Sequence, residues 1–92
     1  MIVAFQHKGL EVFFLNGSKK GIVPEHEKRL RMRLAALHTA QELEDLDLPG
    51  FRLHRLRGNR KDSWSISVDG NWRLTFEMDQ GNIYVLDYED YH

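Results

Sequence analysis

The chain has 92 residues, of which 41% are hydrophobic and 29% are charged, and it contains no cysteine. This length fits one domain over residues 1–92 and is too short for two cores. The lack of cysteine excludes disulfides, thiolate nucleophiles and zinc–thiolate sites. No stretch resembles a signal peptide or a transmembrane helix, so we expect a cytoplasmic protein without membrane contact.

Charge is nearly balanced in total but segregated along the sequence. The formal net charge is −1, which argues against a protein that binds nucleic acid through its overall charge. Residues 52–61 nevertheless contain five basic residues and no acidic one, whereas residues 42–47 contain four acidic residues and no basic one. This pattern is typical of a directed anion site, although solvated loops of opposite sign would also produce it.

The first part of the sequence predicts a short strand followed by a helix. Residues 2–5, Ile-Val-Ala-Phe, are a candidate strand. Residues 8–16 carry apolar side chains at the i, i+3, i+4 spacing of an amphipathic helix. Gly17 is placed to end this helix, because glycine readily adopts the left-handed conformation that is common at helix C-termini.

A second helix is predicted after Pro24, which suits the first helical turn because its missing N–H would have no partner there. We expect Leu30, Leu34 and Leu37 to form its buried side, with its basic residues largely on the other sides. Residues 39–42, Thr-Ala-Gln-Glu, match a capping box and predict a short third helix.

From residue 51 onward, apolar and polar residues alternate as in half-buried antiparallel strands. The candidate strands span residues 51–57, 64–68, 72–76 and 83–87. Tight-turn signals separate the last three strands, namely Asp-Gly-Asn at 69–71 and Gln-Gly-Asn at 80–82. We therefore predict an α+β fold in which N-terminal helices pack on one face of a mostly antiparallel sheet of four to five strands.

The alternation places Arg73 on the opposite face from Trp72 and Leu74. Since the large apolar residues should face the helices, Arg73 should lie on the open face of the sheet. Its planar guanidinium can donate two parallel hydrogen bonds to a phosphate. The alternative is an exposed arginine that pairs with a cross-strand acid such as Asp87.

Two histidines are candidates for proton transfer. His54 lies in the basic segment, and His92 ends the sequence after Asp90 and Tyr91. Cutting RNA without a metal requires a base for the 2′-hydroxyl, an acid for the leaving 5′-oxygen and cations around the phosphate. We predict that His54 and His92 supply the base and the acid, in either order, and that Asp90 orients an imidazole. Tyr91 can stack on a nucleobase or donate a hydrogen bond to the phosphate.

Residue types alone do not connect position 54 with position 92, so a surface or packed imidazole remains the alternative for each histidine. The cations expected at the phosphate are Arg55, Arg57, Arg60 and Arg73. The sequence contains no glycine-rich phosphate loop and no metal-ligand spacing, so we expect neither a metal nor another cofactor.

Several segments together resemble a known family. The segments are residues 6–10, 53–60, 64–66, 71–76 and 88–92. The sequence resembles HigB, a family of toxins in the RelE/ParE superfamily of bacterial type II toxin–antitoxin systems. The most specific parts are the block Asn71-Trp72-Arg73 and the final Asp90-Tyr91-His92.

The resemblance implies a microbial-ribonuclease-like fold and an endoribonuclease that cleaves messenger RNA in the ribosomal A site. It implies neutralisation by a helix-turn-helix antitoxin of the HigA type, and contact with DNA only through that antitoxin. It assigns catalysis to His54, Asp90, Tyr91 and His92, with Arg73 and the basic residue at 57 as phosphate partners. Relatives commonly have lysine at position 57, so the arginine here keeps the charge and changes its geometry.

On this reading, basic residues around the second helix would contact ribosomal RNA: Lys19, Lys20, Lys28, Arg29, Arg31 and Arg33. An ordinary solvated helix face is the alternative for this group. Two other functions remain open. One is a gyrase-inhibiting toxin of the ParE type, which lacks a ribonuclease site and is disfavoured by the pair of histidines. The other is a non-catalytic module that binds RNA or a partner protein.

Overall fold

A computed structural model of the chain describes residues 1–90. Within that range, two α-helices precede a four-stranded antiparallel sheet whose strands pair in sequence order, each with the next. The elements are α1 Lys8–Asn16, α2 Glu27–Thr39, β1 His54–Arg55, β2 Trp64–Asp69, β3 Trp72–Asp79 and β4 Asn82–Asp90. The predicted α+β class, with N-terminal helices against an antiparallel sheet, is confirmed.

Helix α1 has defined caps at both ends. The His7 Nδ1 atom accepts a hydrogen bond from the Leu10 N–H at 2.9 Å, a role that serine or aspartate more often fills. Gly17 has a φ of 80°, and its N–H donates to the Phe13 carbonyl at 2.8 Å. The predicted helix and its glycine end are therefore confirmed.

Helix α2 follows a 3-10 turn at Pro24–His26 and buries its three leucines, as predicted. The predicted capping box at 39–42 is wrong. Thr39 is the last residue of α2, and its hydroxyl donates back to the Ala35 carbonyl at 2.9 Å. The capping box of the following 3-10 helix pairs Glu42 with Asp45 instead. Neither α-helix in the described part of the chain has the length and apolarity needed to cross a membrane.

The two outer edges of the sheet differ from the predicted strands. Residues 2–5 run parallel to β4 but bond to it only through bridges from Ile2 to Ile83 and from Phe5 to Leu86. At the other edge, the predicted strand 51–57 is reduced to β1. Arg52 has a φ of 51°, which interrupts the extended conformation needed for a longer strand.

The core lies between the helices and one face of the sheet. Apolar side chains of β2, β3 and β4 pack there against both helices, and full burial of each contributes about 1.5–3 kcal/mol. The opposite face is less open than the alternation predicts. Ser65 and Thr75 lie on it, yet they are only 0% and 1% exposed. Part of this cover comes from Arg60, which reaches Thr75 from the turn between β1 and β2.

Candidate active site

Polar side chains are concentrated on the face of the sheet turned away from the helices. The strand register arranges them in two cross-strand rows: His54, Ser65, Thr75 and Asp87 in the first, and Ser67, Arg73 and Glu89 in the second. Neighbouring strands are about 4.8 Å apart, and alternate residues of one strand are about 7 Å apart. His54 and Arg73, two of the predicted site residues, therefore share one face at a separation of two strands and one row.

The imidazole of His54 is exposed and lies beside its cross-strand partner. The Ser65 hydroxyl is 3.2 Å from His54 Nε2 and 3.4 Å from Nδ1. The Nδ1 atom is also 3.0 Å from the Arg52 carbonyl oxygen. Because a carbonyl only accepts, Nδ1 carries the proton in that bond, and Nε2 of the neutral ring can then accept one. This arrangement suits a general base.

Arg73 faces the same side of the sheet, as the alternation predicts. Its Nε and Nη1 atoms are buried. The acid directly across from it on β4 is Glu89, whereas Asp87 lies across from Thr75. A bulge causes this register, because Val85 has a φ of 45° and the pairing shifts by one residue between Thr75 and Glu77.

Glu89 joins three elements of this face. Arg60 donates to its two carboxylate oxygens at 3.1 and 2.7 Å, in a two-pronged ion pair. The Thr75 hydroxyl donates to the same carboxylate. The Arg60 guanidinium, with help from Thr75, holds the pKa of Glu89 below its usual value despite partial burial. Arg60, predicted as a phosphate ligand, is thus bound to an acid in this structure.

The last predicted site residues divide between described and undescribed positions. Asp90 is exposed, ends β4 and pairs in register with Trp72. Since successive residues of a strand alternate, Asp90 lies on the face opposite to Glu89 and Arg73. Tyr91 and His92 lie outside the described residues.

The remaining basic residues of segment 52–61 point in different directions. The Arg55 guanidinium lies over the Trp64 ring at 5.2 Å, and alternation along β1 puts it on the opposite face from His54. Arg57 is exposed and precedes the 3-10 turn Gly58–Arg60. Of the four predicted phosphate ligands, Arg73 and Arg57 therefore remain candidates, while Arg55 lies on the other side of the sheet.

The basic residues expected to contact ribosomal RNA differ in their surroundings. Lys20 and Lys28 are exposed. Lys19 and Arg31 both pair with Glu27, the former at 3.4 Å. Arg29 pairs with Asp69 at 3.3 Å. These residues are at the surface, and such exposed ion pairs are weak enough to exchange for a phosphate.

Arg33 is an exception, and the expectation that it contacts RNA is corrected by its position. It is 5% exposed, and its Nε donates to the Ser67 carbonyl at 2.6 Å. Its guanidinium also lies over the Phe51 ring at 4.7 Å. Arg33 therefore connects α2 to β2 inside the protein.

Comparison with known proteins identifies the family of this chain. Residues 3–92 match the sequence model for the "RelE-like toxin of type II toxin-antitoxin system HigB". The chain belongs to the HigB-like toxin family. It is 44% identical to "Endoribonuclease HigB" of Proteus vulgaris over 92 residues, which is the full length of both chains. It is 35% identical to "Toxin HigB-1" of Vibrio cholerae serotype O1 (strain ATCC 39315 / El Tor Inaba N16961) over 83 residues, which cover 88% of this chain and 87% of that toxin.

The resemblance seen in the sequence is thus confirmed, and an antitoxin is the partner that a type II system implies for this HigB-like toxin. Sequence reasoning did not identify Glu89, Thr75 or Ser65 as part of the polar face. The alternation marks Ser65 and Thr75 as residues of that face. The face occupied by Glu89 can be predicted only if the bulge is known, and the residue pattern of β4 does not indicate a bulge.

Proposed function

We propose that this HigB-like toxin is an endoribonuclease that cleaves messenger RNA on the ribosome and so stops translation. The observation that carries the proposal is the placement of His54 and Arg73 on one face of the sheet, with an accepting nitrogen on the first and a phosphate-binding group on the second. The name of the Proteus vulgaris relative, an endoribonuclease, supports the same reaction class.

In the proposed reaction, the 2′-hydroxyl of one nucleotide attacks the adjacent phosphate. His54 Nε2 takes the hydroxyl proton, because its Nδ1 is already bonded to the Arg52 carbonyl. The bond between phosphorus and the 5′-oxygen breaks, and His92 protonates that oxygen. The products are a 2′,3′-cyclic phosphate and a 5′-hydroxyl. Asp90 sustains the charge of the His92 imidazole in this proposal, because its position on the other face of the sheet separates it from His54. Tyr91 stacks on a base or donates to the phosphate.

Negative charge increases on the phosphate in the transition state, so fixed cations there accelerate the reaction. Arg73 and Arg57 fill this role in our proposal, and losing one such donor commonly costs about a hundredfold in rate. This chemistry requires no metal or other cofactor. The surface lysines and arginines of the α2 region, Arg33 excepted, hold the ribosomal RNA backbone through its phosphates.

The partner in this proposal is a helix-turn-helix antitoxin of the HigA type, and DNA is contacted only through the toxin–antitoxin complex. The toxin acts in the cytoplasm, where its ribosome-bound substrate is found. A gyrase inhibitor would need no proton-transferring histidine on the polar face, so the exposed His54 favours the ribonuclease.

Mapping of transcript 5′ ends after brief expression tests the proposal. Wild type is compared with His54→Ala, with a variant lacking residues 90–92, and with His38→Ala as a control for an exposed histidine on α2. We expect new 5′ ends inside translated frames for wild type and the control, and none for the other two variants. Intact transcripts with broken DNA would support a gyrase inhibitor instead.

A second experiment addresses the ribosome. The purified toxin is incubated with one messenger RNA, either free or bound to ribosomes with an empty A site. Cleavage confined to the ribosome-bound RNA is the expected result. Equal cleavage of free RNA would contradict the ribosome dependence while leaving the ribonuclease activity intact.

A further inference from the structure

The polar face contains an acid in a place where an acid should hinder the reaction. Glu89 is the cross-strand partner of Arg73 and would repel a phosphate bound by that arginine. Arg60 compensates this charge through its two-pronged ion pair, across 29 residues of sequence. Glu89 thus opposes phosphate binding and yet has a specific partner in Arg60. This combination suggests that Glu89 has a function in the site beyond that of a solvated surface acid.

The contacts of Arg60 show what the pair does to the backbone. The turn that carries Arg60 is closed at its base by the Leu56 N–H, which donates to the Ser63 carbonyl at 2.9 Å. At its tip, the Arg60 side chain crosses β2 to reach Thr75 on β3 and Glu89 on β4. The turn is therefore held at its base by this backbone hydrogen bond and at its tip by the Arg60 side chain.

Arg57 lies in the same turn. Its carbonyl accepts the Arg60 N–H at 3.4 Å, and it directly precedes the 3-10 residues Gly58–Arg60. The position of the Arg57 backbone relative to Arg73 thus depends on where Arg60 is held. Gly58, with a φ of 71°, gives this turn a left-handed residue between the two arginines.

We propose that Glu89 is a positioning residue for RNA cleavage: by binding Arg60, it fixes the turn 57–63 against the polar face and so sets the position of Arg57 relative to Arg73. This inference rests on the proposed ribonuclease function. Glu89 acts through Arg60 and takes no proton from the substrate. Thr75 supports it by donating to the same carboxylate.

A double-mutant cycle tests whether Glu89 acts through Arg60. Glu89→Gln, Arg60→Gln and the double variant are compared with wild type in single-turnover cleavage of ribosome-bound messenger RNA. We expect each single change to lower the rate at saturating toxin by about tenfold, since small misplacements of phosphate ligands are costly. The toxin concentration for half-saturation should change by less than about threefold, and the double variant should cleave no more slowly than the slower single variant.

Two controls separate positioning from general stability. Glu44→Gln makes the same chemical change on an exposed acid of the 3-10 helix Leu43–Leu46 and should leave the rate unchanged. Glu89→Asp keeps the charge and should restore part of the activity lost in Glu89→Gln. Losses that multiply in the double variant, or a Glu89→Gln rate within about twofold of wild type, would overturn the inference.

Amide hydrogen exchange provides a readout that does not depend on cleavage. Glu89→Gln should speed exchange in residues 57–63 while leaving α1 and α2 unchanged, because only the attachment of the turn is lost. Unchanged exchange in the turn would overturn the inference even if the variant were slow. If wild type itself does not cleave, the proposed function fails, and this exchange measurement still decides whether Glu89 holds the turn.

Discussion

His26 and Tyr88 share a buried hydrogen bond of 2.6 Å between the imidazole Nδ1 and the phenol oxygen. The Val23 N–H donates to the same oxygen at 3.3 Å. The ring centroids of Trp72 and Tyr88 are 4.7 Å apart. The other imidazole nitrogen is 3.4 Å from a carboxylate oxygen of Asp69. This cluster fastens the start of α2 to the two strands that carry Arg73 and Glu89.

Replacing Tyr88 with phenylalanine should therefore destabilise the protein. The change leaves the buried Nδ1 of His26 and the Val23 N–H without their partner, and unsatisfied buried polar groups cost about 1–3 kcal/mol. Urea unfolding at pH 7 measures the loss. Tyr84→Phe, on the same strand, is the control and should cost less. Equal unfolding midpoints for Tyr88→Phe and wild type would contradict the structural role of this bond.

Stability should also fall at alkaline pH because of Tyr88. Burial raises the pKa of its phenol above the ordinary value of 10.0, outweighing the Val23 hydrogen bond that lowers it. The unfolded chain then releases this proton at lower pH than the folded one, so the free energy of unfolding falls as pH rises above about 10. The slope from one group is at most about 1.4 kcal/mol per pH unit. Unfolding at pH 9, 10 and 11 should show a smaller decline for Tyr88→Phe than for wild type; parallel declines would contradict the assignment.

These features differ in how far the sequence predicts them. Helix α1 follows from local periodicity and from Gly17, and the face occupied by Arg73 follows from alternation, because both depend on neighbouring residues only. The partner of Arg73 depends on the bulge at Val85, where a β-branched residue adopts a φ of 45°. Counting back from the β3–β4 turn without that bulge would pair Arg73 with Tyr88 and put Glu89 on the wrong face.

The prediction for Arg33 was wrong for a different reason: it relied on the charge of the side chain and disregarded the position of the residue in the helix. Residue 33 lies three after Leu30 and four before Leu37, so helical spacing places it within the buried stripe. Its charge led to an expectation of exposure, which holds for most arginines. The carbonyl of Ser67 and the ring of Phe51 make its burial possible, and both come from distant parts of the sequence.

The buried position of Arg33 predicts a large effect on stability. Arg33→Gln removes a hydrogen bond from a charged donor to the Ser67 carbonyl and the contact with Phe51, so we expect a loss of about 1.5–3 kcal/mol. Arg31→Gln is the matched control on the same helix, where an exposed ion pair contributes about 1 kcal/mol at most. Thermal or urea unfolding measures the loss in the free energy of unfolding for each variant. Equal losses would mean that Arg33 contributes no more than a surface arginine.

Gly9 should resist substitution although it lies in a helix. A Cβ at Gly9 would come within 2.7 Å of the Gly21 Cα, and one at Gly21 within 2.4 Å of the Gly9 Cα. Alanine normally stabilises a helix interior by about 0.5–1 kcal/mol relative to glycine. Here the backbone contact reverses the sign, and Gly9→Ala should cost about 1–3 kcal/mol. Lys8→Ala controls for helix propensity, and a stabilised Gly9→Ala in urea unfolding would contradict the close contact.

Arg73 and Arg55 provide the sharpest comparison for the proposed activity. They have the same charge, but the strands place them on opposite faces of the sheet. Arg73→Gln should lower single-turnover cleavage of ribosome-bound messenger RNA about a hundredfold, because it removes a cation from the phosphate. Arg73→Lys should recover only part of that rate, since an ammonium lacks the two parallel donors of a guanidinium. Arg55→Gln should cleave within about threefold of wild type, as a weak cation–ring contact does not touch the substrate. If Arg55→Gln proved the slower of the two, the reaction would have to take place on the helix side of the sheet, and the assignment of the polar face would be wrong.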